Sequence, residues 1–523
     1  MWLIVLLTTI LSYYFYVLFV KPMGFWKERG IKYVKPLPIV GNFLATIIRK
    51  KHFVEVLQDL YNQFPNEKYI GVFFGNQPHL MIKDLGLMKK ILIKDFDHFM
   101  DHTKTIDVDS IMSKNLLHMR GHTWKEMRAT LSPVFTSSKI KQMARFMDEC
   151  AINLKNNISI NSGVNEYNVR DLFTKFSNDV IASTAFGIQT DSIKDNGNNE
   201  FYKRAKNFTT FTAWQNLKVF IISILPIFYK MFKIKIFQEE DVVYFHTIVQ
   251  KNMKKREEEN IMRPDLIHLL LQAKNGKLKY EANDKTEINT YGAVEESHAG
   301  KDEQVVKQKW TEEELTAQCL VFFLAGFETS SVVSVFMAYE LAINPDIQTK
   351  LQNEIDSVME ETYENPKYDD IMKMKYLEQV LLETLRKWGP GFMTDRQCTK
   401  DYTLEDGVVV EAGTTLMIPI WCLHRNPKYF PNPDTFDPDR FCDENKDKII
   451  SGSFMPFGIG PRHCIASRFA LLELKILFFH MLAKFDIIPT KNTVIPFIPE
   501  PSKFGLTPNK MVLGIKPRVV TNL

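Results

Sequence analysis

The chain opens on an unbroken apolar run: residues 1–20, MWLIVLLTTILSYYFYVLFV, carry no charge. That is the length a helix needs to cross the hydrocarbon core of a bilayer. Lys21, Lys27, Arg29, Lys32 and Lys35 follow against Glu28 alone, a basic flank of the kind that stays cytosolic. A cleaved secretory leader would begin basic and end on a small-residue cleavage site, and both are missing. A buried core helix would have no use for the basic flank. The pattern predicts an uncleaved transmembrane anchor over 1–20, a basic, proline-rich linker over 21–42 and a cytosol-facing body over 43–523. Within the linker, Lys35-Pro36-Leu37-Pro38-Ile39-Val40-Gly41-Asn42 is a stiff, turn-rich entry that orients the body.

In the body the periodicity is mostly helical. Tyr69 to Ile82, YIGVFFGNQPHLMI, predicts a β-hairpin turning at Gly75-Asn76-Gln77-Pro78. Helical spacing dominates from Met119 to Val249. Inside that region Phe208 to Phe237 is unusually apolar and aromatic, broken at Pro226; it suits either core or a lid dipping into a membrane surface. The stretch 276–309 is polar and predicts an exposed loop. Thr311, with Glu314 three residues on, forms a capping box, so a long helix runs from there until Pro345 stops it. Asp370 to Trp388 predicts another helix. Cys398 to Ile420 alternates around Asp406-Gly407 and Ala412-Gly413 and predicts short strands. No repeat or interior linker divides the pattern. The expectation is one large body, mainly α with small β-sheets.

Composition adds limits to this picture. With 45% hydrophobic and 24% charged residues over 523 positions, the chain can bury a sizeable core and is not a disordered, collagenous or coiled-coil protein. A net charge of +4 gives no case for nucleic-acid binding. The 39 phenylalanines and 22 methionines point to an aromatic-rich interior. Six scattered cysteines (Cys150, Cys319, Cys398, Cys422, Cys442, Cys464) contain no C-x-x-C pair and read as thiols in a reducing compartment. Any one of them is then available as a ligand.

Cys464 has a distinctive setting. In Phe454-Met455-Pro456-Phe457-Gly458-Ile459-Gly460-Pro461-Arg462-His463-Cys464-Ile465-Ala466, a glycine- and proline-rich loop delivers it to the first turn of a helix that reads as amphipathic, ASRFALLELKILFFHML. A thiolate there gains from the helix N-terminus and from loop amides. Gly458 and Gly460 free the backbone for that approach. Read alone, the segment also suits a buried cysteine after a turn. F-x-x-G-x-R-x-C at this spacing, near the C-terminus, nevertheless resembles the signature of the cytochrome P-450 family of haem-thiolate monooxygenases. The resemblance follows the family's motif order over nearly the whole chain. It is nearest the microsomal, xenobiotic-metabolising branch typical of insects, with the run HRNPKYFPNP from His424 to Pro433. It implies the cytochrome P-450 fold, a haem b cofactor (iron protoporphyrin IX), and Cys464 as the iron's axial thiolate, which favours O–O cleavage. Phe457, Gly460 and Arg462 belong to the same cofactor-binding segment, with Arg462 placing a fixed positive charge beside the cofactor's anionic edge.

Three further motifs take their roles from the resemblance. Glu383-Thr384-Leu385-Arg386 is similar to the family's E-x-x-R, whose i,i+3 charges share a helix face. By itself such a pair is a common surface feature worth under about 1 kcal/mol. Pro438-Asp439-Arg440-Phe441 resembles the segment that completes it, so Glu383, Arg386 and Arg440 are expected as a buried structural triad. Trp124 and Arg128 match W-x-x-x-R, with the indole and guanidinium on one helix face for one haem propionate; Arg396 resembles the arginine for the other. Without the haem, Trp124 would be a core aromatic and Arg128 a solvated charge. Ala325-Gly326-Phe327-Glu328-Thr329-Ser330 falls mid-way along the long helix, where glycine costs about 1 kcal/mol relative to alanine and needs a compensating reason. Glu328-Thr329 resembles the family's oxygen-activating site, to which protons arrive through neighbouring groups. A helical threonine also bonds back to the i−4 carbonyl with no functional consequence.

Other patterns carry less. His98/His102 and His118/His122 have the spacing of paired zinc ligands but lack H-E-x-x-H and a third ligand, so they read as exposed or core histidines. No C-x-x-C-H, P-loop or G-x-G-x-x-G is present, so NADPH acts only indirectly. The resemblance implies an NADPH-dependent flavoprotein reductase as electron donor, with cytochrome b5 as a second partner. Lys125, Lys139, Lys141 and Arg145 form either its docking patch or an ordinary solvated face. By resemblance, Ile111, Leu116, Leu117, Phe323 and Met393 line the substrate pocket. Ala466 in place of a glycine, Gly389 in Trp388-Gly389-Pro390 and the shortened proline entry depart from the family pattern without removing a ligand or acid. The expected activity is insertion of one oxygen atom from O2 into lipophilic small molecules, on the endoplasmic reticulum membrane with the body facing the cytosol. A biosynthetic hydroxylase of one hormone or lipid, and a non-catalytic haem sensor or sequestering protein, are the alternatives; the intact Glu328-Thr329 argues against the second.

Overall fold

The computed structural model describes residues 1–103, 111–158, 164–209, 214, 215, 218, 222, 237–275, 278 and 310–518. The described strands are β1 (Tyr69–Phe74), β2 (Gln77–Ile82), β3 (Asn165–Asn168), β4 (Thr394–Gln397), β5 (Tyr402–Thr403), β6 (Val409–Val410), β7 (Thr415–Ile418), β8 (Phe485–Ile488) and β9 (Val512–Pro517). They form three small sheets, ordered β1-β2-β7-β4, β3-β9-β8 and β5-β6, and the rest of the fold is mainly helical. In the β1–β2 hairpin Phe74 pairs with Gln77, which leaves a turn of Gly75 and Asn76 rather than the four residues expected. Pro78 lies ahead of the β2–β7 ladder, which begins at His79, so its missing N–H costs no bond on that side.

Between Met119 and Val249 the described helices are Gly121–Leu131, Ser137–Asn157, Val169–Ile181, Glu200–Thr209 and Glu239–Glu259. They are interrupted by β3, whose partner β9 comes from the far end of the chain. Most of the 208–237 stretch, with Pro226, and all of 276–309 except Leu278 lie outside the described residues, and with them the lid-or-core and exposed-loop expectations. The capping box forms as expected: Thr311 Oγ1 accepts the Glu314 N–H at 3.2 Å, and the Glu314 carboxylate accepts the Thr311 N–H at 2.9 Å. The long helix runs Glu312–Ile343 and is buried over most of its length, and Pro345 opens the next helix, Pro345–Glu361.

The helix expected over 370–388 is two, Tyr368–Lys373 and Lys375–Trp388, parted by an extended Met374. The cause is a cap from outside. Glu354, on helix Pro345–Glu361, accepts the Tyr376 and Leu377 N–H groups at 2.8 Å each, so the second segment starts afresh there. The helix after the cysteine loop begins at Ser467 and ends at Leu482; it is buried on nearly every side rather than amphipathic. The polar residues that gave it an amphipathic pattern have interior partners: Glu473 takes the Ser330 hydroxyl at 2.7 Å, and Lys475 reaches Glu378 at 2.9 Å.

At the N-terminus a helical span runs Trp2–Glu28, and none of its most apolar window is buried, which removes the core-helix reading. Its end is fastened to the body. Trp26 is buried against β1, where its Nε1–H points to the Val72 carbonyl at 3.3 Å, and Asn76 donates to the Leu18 carbonyl at 3.0 Å.

Candidate active site

The loop before helix Ser467–Leu482 folds back on itself through main-chain bonds. The Gly458 N–H donates to Met455 O at 3.0 Å, the His463 N–H to Gly460 O at 3.0 Å, and the Cys464 N–H to Phe457 O at 2.8 Å. Gly460 is irreplaceable on two counts: its φ is +75°, and a Cβ there would lie 2.0 Å from Leu92 O. Cys464 thus stands just before the helix, two residues ahead of the N-cap Ala466, and not in the first turn as expected. Burial pushes its thiol up, while the Ala466 N–H and the Arg128 charge pull it down. Cys464 opens onto a cavity of about 340 Å³, whereas Cys319, Cys398 and Cys422 are buried.

The long helix gives the cavity one stripe: Phe322, Ala325, Gly326, Thr329, Ser330 and Val333. Phe323, expected to line the pocket, belongs to the other face, in an aromatic cluster with Phe186, Phe201 and Phe245 at 4.8–5.7 Å. Of the other expected lining residues, Leu117 and Met393 face the cavity, while Ile111 and Leu116 are buried without lining it. Gly326 owes its place to the neighbouring helix, because a Cβ would meet Ile181 Cδ1 at 2.4 Å. The Thr329 hydroxyl lines the cavity and donates to Ala325 O at 2.6 Å. Glu328 turns outward, accepting from Arg170 at 2.8 and 3.0 Å and from the Thr507 hydroxyl at 2.6 Å. One residue beyond Thr329, Ser330 donates to Glu473, whose carboxyl burial pushes up to about 8.

One end of the cavity is cationic. Arg396 is buried and lines it; its Nη1 reaches Thr394 Oγ1 and Asp395 O, but its Nε has no acceptor among the described residues. Arg462 donates to the carbonyls of Met100, Leu116 and Met119, lies over the Trp124 ring at 4.0 Å, and has Asp101 at 3.5 Å. Burial lowers both guanidiniums, Arg396 to about 10 and Arg462 to about 9. His102 completes this end, bonded to Asp395. Trp124 and Arg128 stand one layer back. Trp124 supports Arg462, and Arg128 donates to His463 O at 2.9 Å.

Behind the loop, Glu383, Arg386 and Arg440 come together. Glu383 takes two parallel bonds from Arg386 at 2.7 and 2.8 Å, a third from Arg440 at 3.4 Å and the Asp437 N–H at 2.9 Å. Sequence reasoning missed His424, the first residue of the HRNPKYFPNP run. Its carbonyl accepts from Arg386 at 3.0 Å, and its Nε2 accepts the Met455 N–H at 3.0 Å, which ties the carboxylate–guanidinium pair to the cysteine loop. Burial lowers its pKa to about 3, so the ring stays a neutral acceptor.

A cysteine in a glycine-rich loop, open to an apolar cavity with a cationic end, is one observation; the comparisons with known proteins supply the second. The Cytochrome P450 family model matches residues 32–515. The chain belongs to the cytochrome P450 family. Among similar P450s, Cytochrome P450 9e2 of Blattella germanica is 40% identical over 92% of this chain and 92% of that protein. Probable cytochrome P450 9f2 of Drosophila melanogaster is 40% identical over 92% and 93%. Cytochrome P450 6k1 of Blattella germanica is 34% identical over 94% and 92%. P450 membership makes the chain a monooxygenase, an oxidoreductase with a haem cofactor, a redox partner and a lipophilic substrate.

The cavity fits that cofactor. A haem presents an apolar ring, two carboxylates and an iron that needs an axial donor. Here the walls are apolar, an orphaned guanidinium N–H lies at one end, and a free sulfur projects between them. No cluster of histidine, cysteine and acidic residues suited to a bare metal ion occurs among the described residues, and both histidine pairs have other partners: His98 packs on Tyr402 and His102 bonds Asp395, while His118 bonds Asn115 and His122 approaches Glu126. Of the departures from the family pattern, Ala466 lines the cavity, and Gly389 ends helix Lys375–Trp388 where a Cβ would sit 2.5 Å from Leu385 O.

Proposed function

We propose that the protein is a microsomal haem-thiolate monooxygenase of lipophilic xenobiotics, with Cys464 as the axial ligand of a haem b. The observation that carries this reading is the Cys464 sulfur, free and open to the apolar cavity while Cys319, Cys398 and Cys422 are buried. Bound haem supplies the iron at which O2 is reduced and one oxygen atom is passed to substrate. The chain's residues do the rest. Arg396 and Arg462 take the cofactor's carboxylates, and Trp124 and Arg128 brace that edge through Arg462 and His463. Phe457 lines the cavity beside Cys464, and Gly460 lets the loop pass under Leu92. Thr329 spends its proton on Ala325 O, so its oxygen accepts from a cavity water and holds that water's protons in place. Glu328, on the outer side of the same turn and paired with Arg170, is the acid of the acid–alcohol pair. The Phe322–Val333 stripe keeps other water out and gives lipophilic substrates their contact surface.

Electrons come from NADPH through a flavoprotein reductase, with cytochrome b5 as a second donor. Lys125, Lys139, Lys141 and Arg145 offer it a basic face, in which Lys141 pairs with Asp369 at 2.6 Å. The Trp2–Glu28 helix holds the chain in the endoplasmic reticulum membrane, with the basic flank and body in the cytosol. The test uses the purified full chain with reductase. The reduced, CO-bound wild type should give the thiolate-type absorption band; Cys464→Ser should lose it, and Cys319→Ser and Cys422→Ser should keep it. Turnover of several unrelated lipophilic compounds supports detoxification, whereas turnover of a single hormone or lipid alone would overturn it in favour of biosynthesis.

A further inference from the structure

His102 is held in a way that no packing role requires. Its Nδ1 lies 3.1 Å from one oxygen of Asp395, whose other oxygen accepts the Thr103 N–H at 2.6 Å, so the ring plane is fixed. The second ring nitrogen, Nε2, has no partner among the described residues, and the ring lines the cavity beside Arg396 and Arg462. Arg396 likewise brings an unsatisfied Nε to this end. Three nitrogen-bearing groups thus converge where the nearby carboxylates among the described residues, Asp395 and Asp101, are already engaged: Asp395 by His102 and Thr103, Asp101 by Arg120 and the Gly121 N–H. We propose that His102 is a third member of the clamp on the haem carboxylates, carrying a proton between Asp395 and one of them, and that this proton couples the haem's reduction potential to pH. The inference rests on the haem reading above.

The charges facing His102 decide the sign. In the cavity alone, burial pushes its pKa down; Asp395 opposes this, and Arg396 and Arg462 add to it, with His118 a further basic neighbour. A second carboxylate at Nε2 acts with Asp395 and favours the imidazolium. One electron delivered by an external reductant makes the cofactor more negative, which tightens His102's hold on a proton drawn from solvent. The potential therefore falls as pH rises.

The experiment is a spectroelectrochemical titration of the haem-loaded full chain, between about pH 5.5 and 8.5, where histidine titrates. A tenfold difference in His102 proton affinity between the two oxidation states gives a total fall of about 59 mV. His102→Arg, which keeps the charge but cannot titrate, should be flat near the wild type's low-pH value. His102→Phe should be flat near the high-pH value and should lose haem to an acceptor globin faster. A wild type without the fall, or an equal fall in His102→Arg, overturns the proposal even if His102→Phe fails to load haem. The reduced CO band of the same samples separates the two readings: a wild type lacking the thiolate band overturns the haem-thiolate reading, and a normal band with an unchanged slope overturns this one alone.

Discussion

Two buried arginines flank the cysteine loop, Arg386 behind it and Arg396 in front, and they are satisfied in opposite ways. Behind the loop, every nitrogen of Arg386 has a protein acceptor: Glu383 twice, His424 O and Thr435 O. Arg440 likewise reaches Glu383, Pro431 O and Asn432 O. In front of the loop, Arg396 has a buried Nε with no acceptor among the described residues, in a wall that also presents the open side of His102. A buried charge is tolerated when something completes it. The rear group is completed by the chain, which suits holding the loop; Arg396 leaves an Nε for what enters the cavity, which suits binding, while Arg462 beside it is already met by the carbonyls of Met100, Leu116 and Met119. The contrast separates Arg386 from Arg396 where motif spacing treats them alike.

The comparison breaks first at Glu383. Glu383→Ala leaves Arg386 buried without its counter-charge, a loss of about 3–5 kcal/mol. The variant should unfold at markedly lower denaturant and retain little haem; an unchanged midpoint would mean that the rear group does not hold the fold. His424 tests the same group by pH. Its pKa is about 3 in the fold, against an ordinary value near 6.5, so the unfolded chain takes up the proton first as pH falls. Its contribution is intact above the ordinary value and is lost as pH falls toward the folded one, a loss of about 2 kcal/mol near pH 5. His424→Gln keeps an acceptor for the Met455 N–H without a titrating group, so denaturation curves over that range should show a shallower pH dependence than wild type.

The front group should respond differently. Arg396→Met removes a cation whose Nε the chain leaves unsatisfied, so haem-free stability should hold or rise. Haem should nevertheless leave about tenfold faster, equivalent to about 1.4 kcal/mol. Melting of the haem-free protein and haem transfer to an acceptor globin read the two effects separately, and a drop in haem-free stability would place Arg396 with the rear group. The smallest effect belongs to an exposed pair. Lys141→Ala breaks the contact with Asp369 and should change stability by under about 1 kcal/mol, while raising the reductase concentration needed for half-maximal turnover. Steady-state titration with reductase checks the second part.

What could be read from the sequence was local. The capping box at Thr311, the cysteine loop with its glycines, and the helical spacing of Glu383 and Arg386 involve residues a few positions apart. What could not be read depends on partners brought from elsewhere. Met374 breaks a helix because Glu354 caps the next segment from another helix. Gly326 is small because Ile181 fills the space, and no pattern around Gly326 shows that. His102 carries the spacing of a zinc pair, and only the fold puts it beside Arg396 and Arg462. His424 acts through residues 38 positions before it and 31 after it. Phe322 and Phe323 differ by one step along a helix that is apolar on both faces, so the choice between cavity and core was invisible until its neighbours were placed.

Trp26 fills the notch that Gly71 leaves in β1, where a Cβ would lie 2.4 Å from the indole. Arg29 stacks on Phe25 and pairs with Glu411 at 2.7 Å, and Asn76 grips Leu18. The N-terminal helix is therefore a lever arm keyed into the body. Whatever plane the helix stands in fixes the pitch and roll of everything behind it, including the height at which the cavity faces that plane. A larger residue at position 71 would force the indole out of its notch and turn the lever into a loose tether.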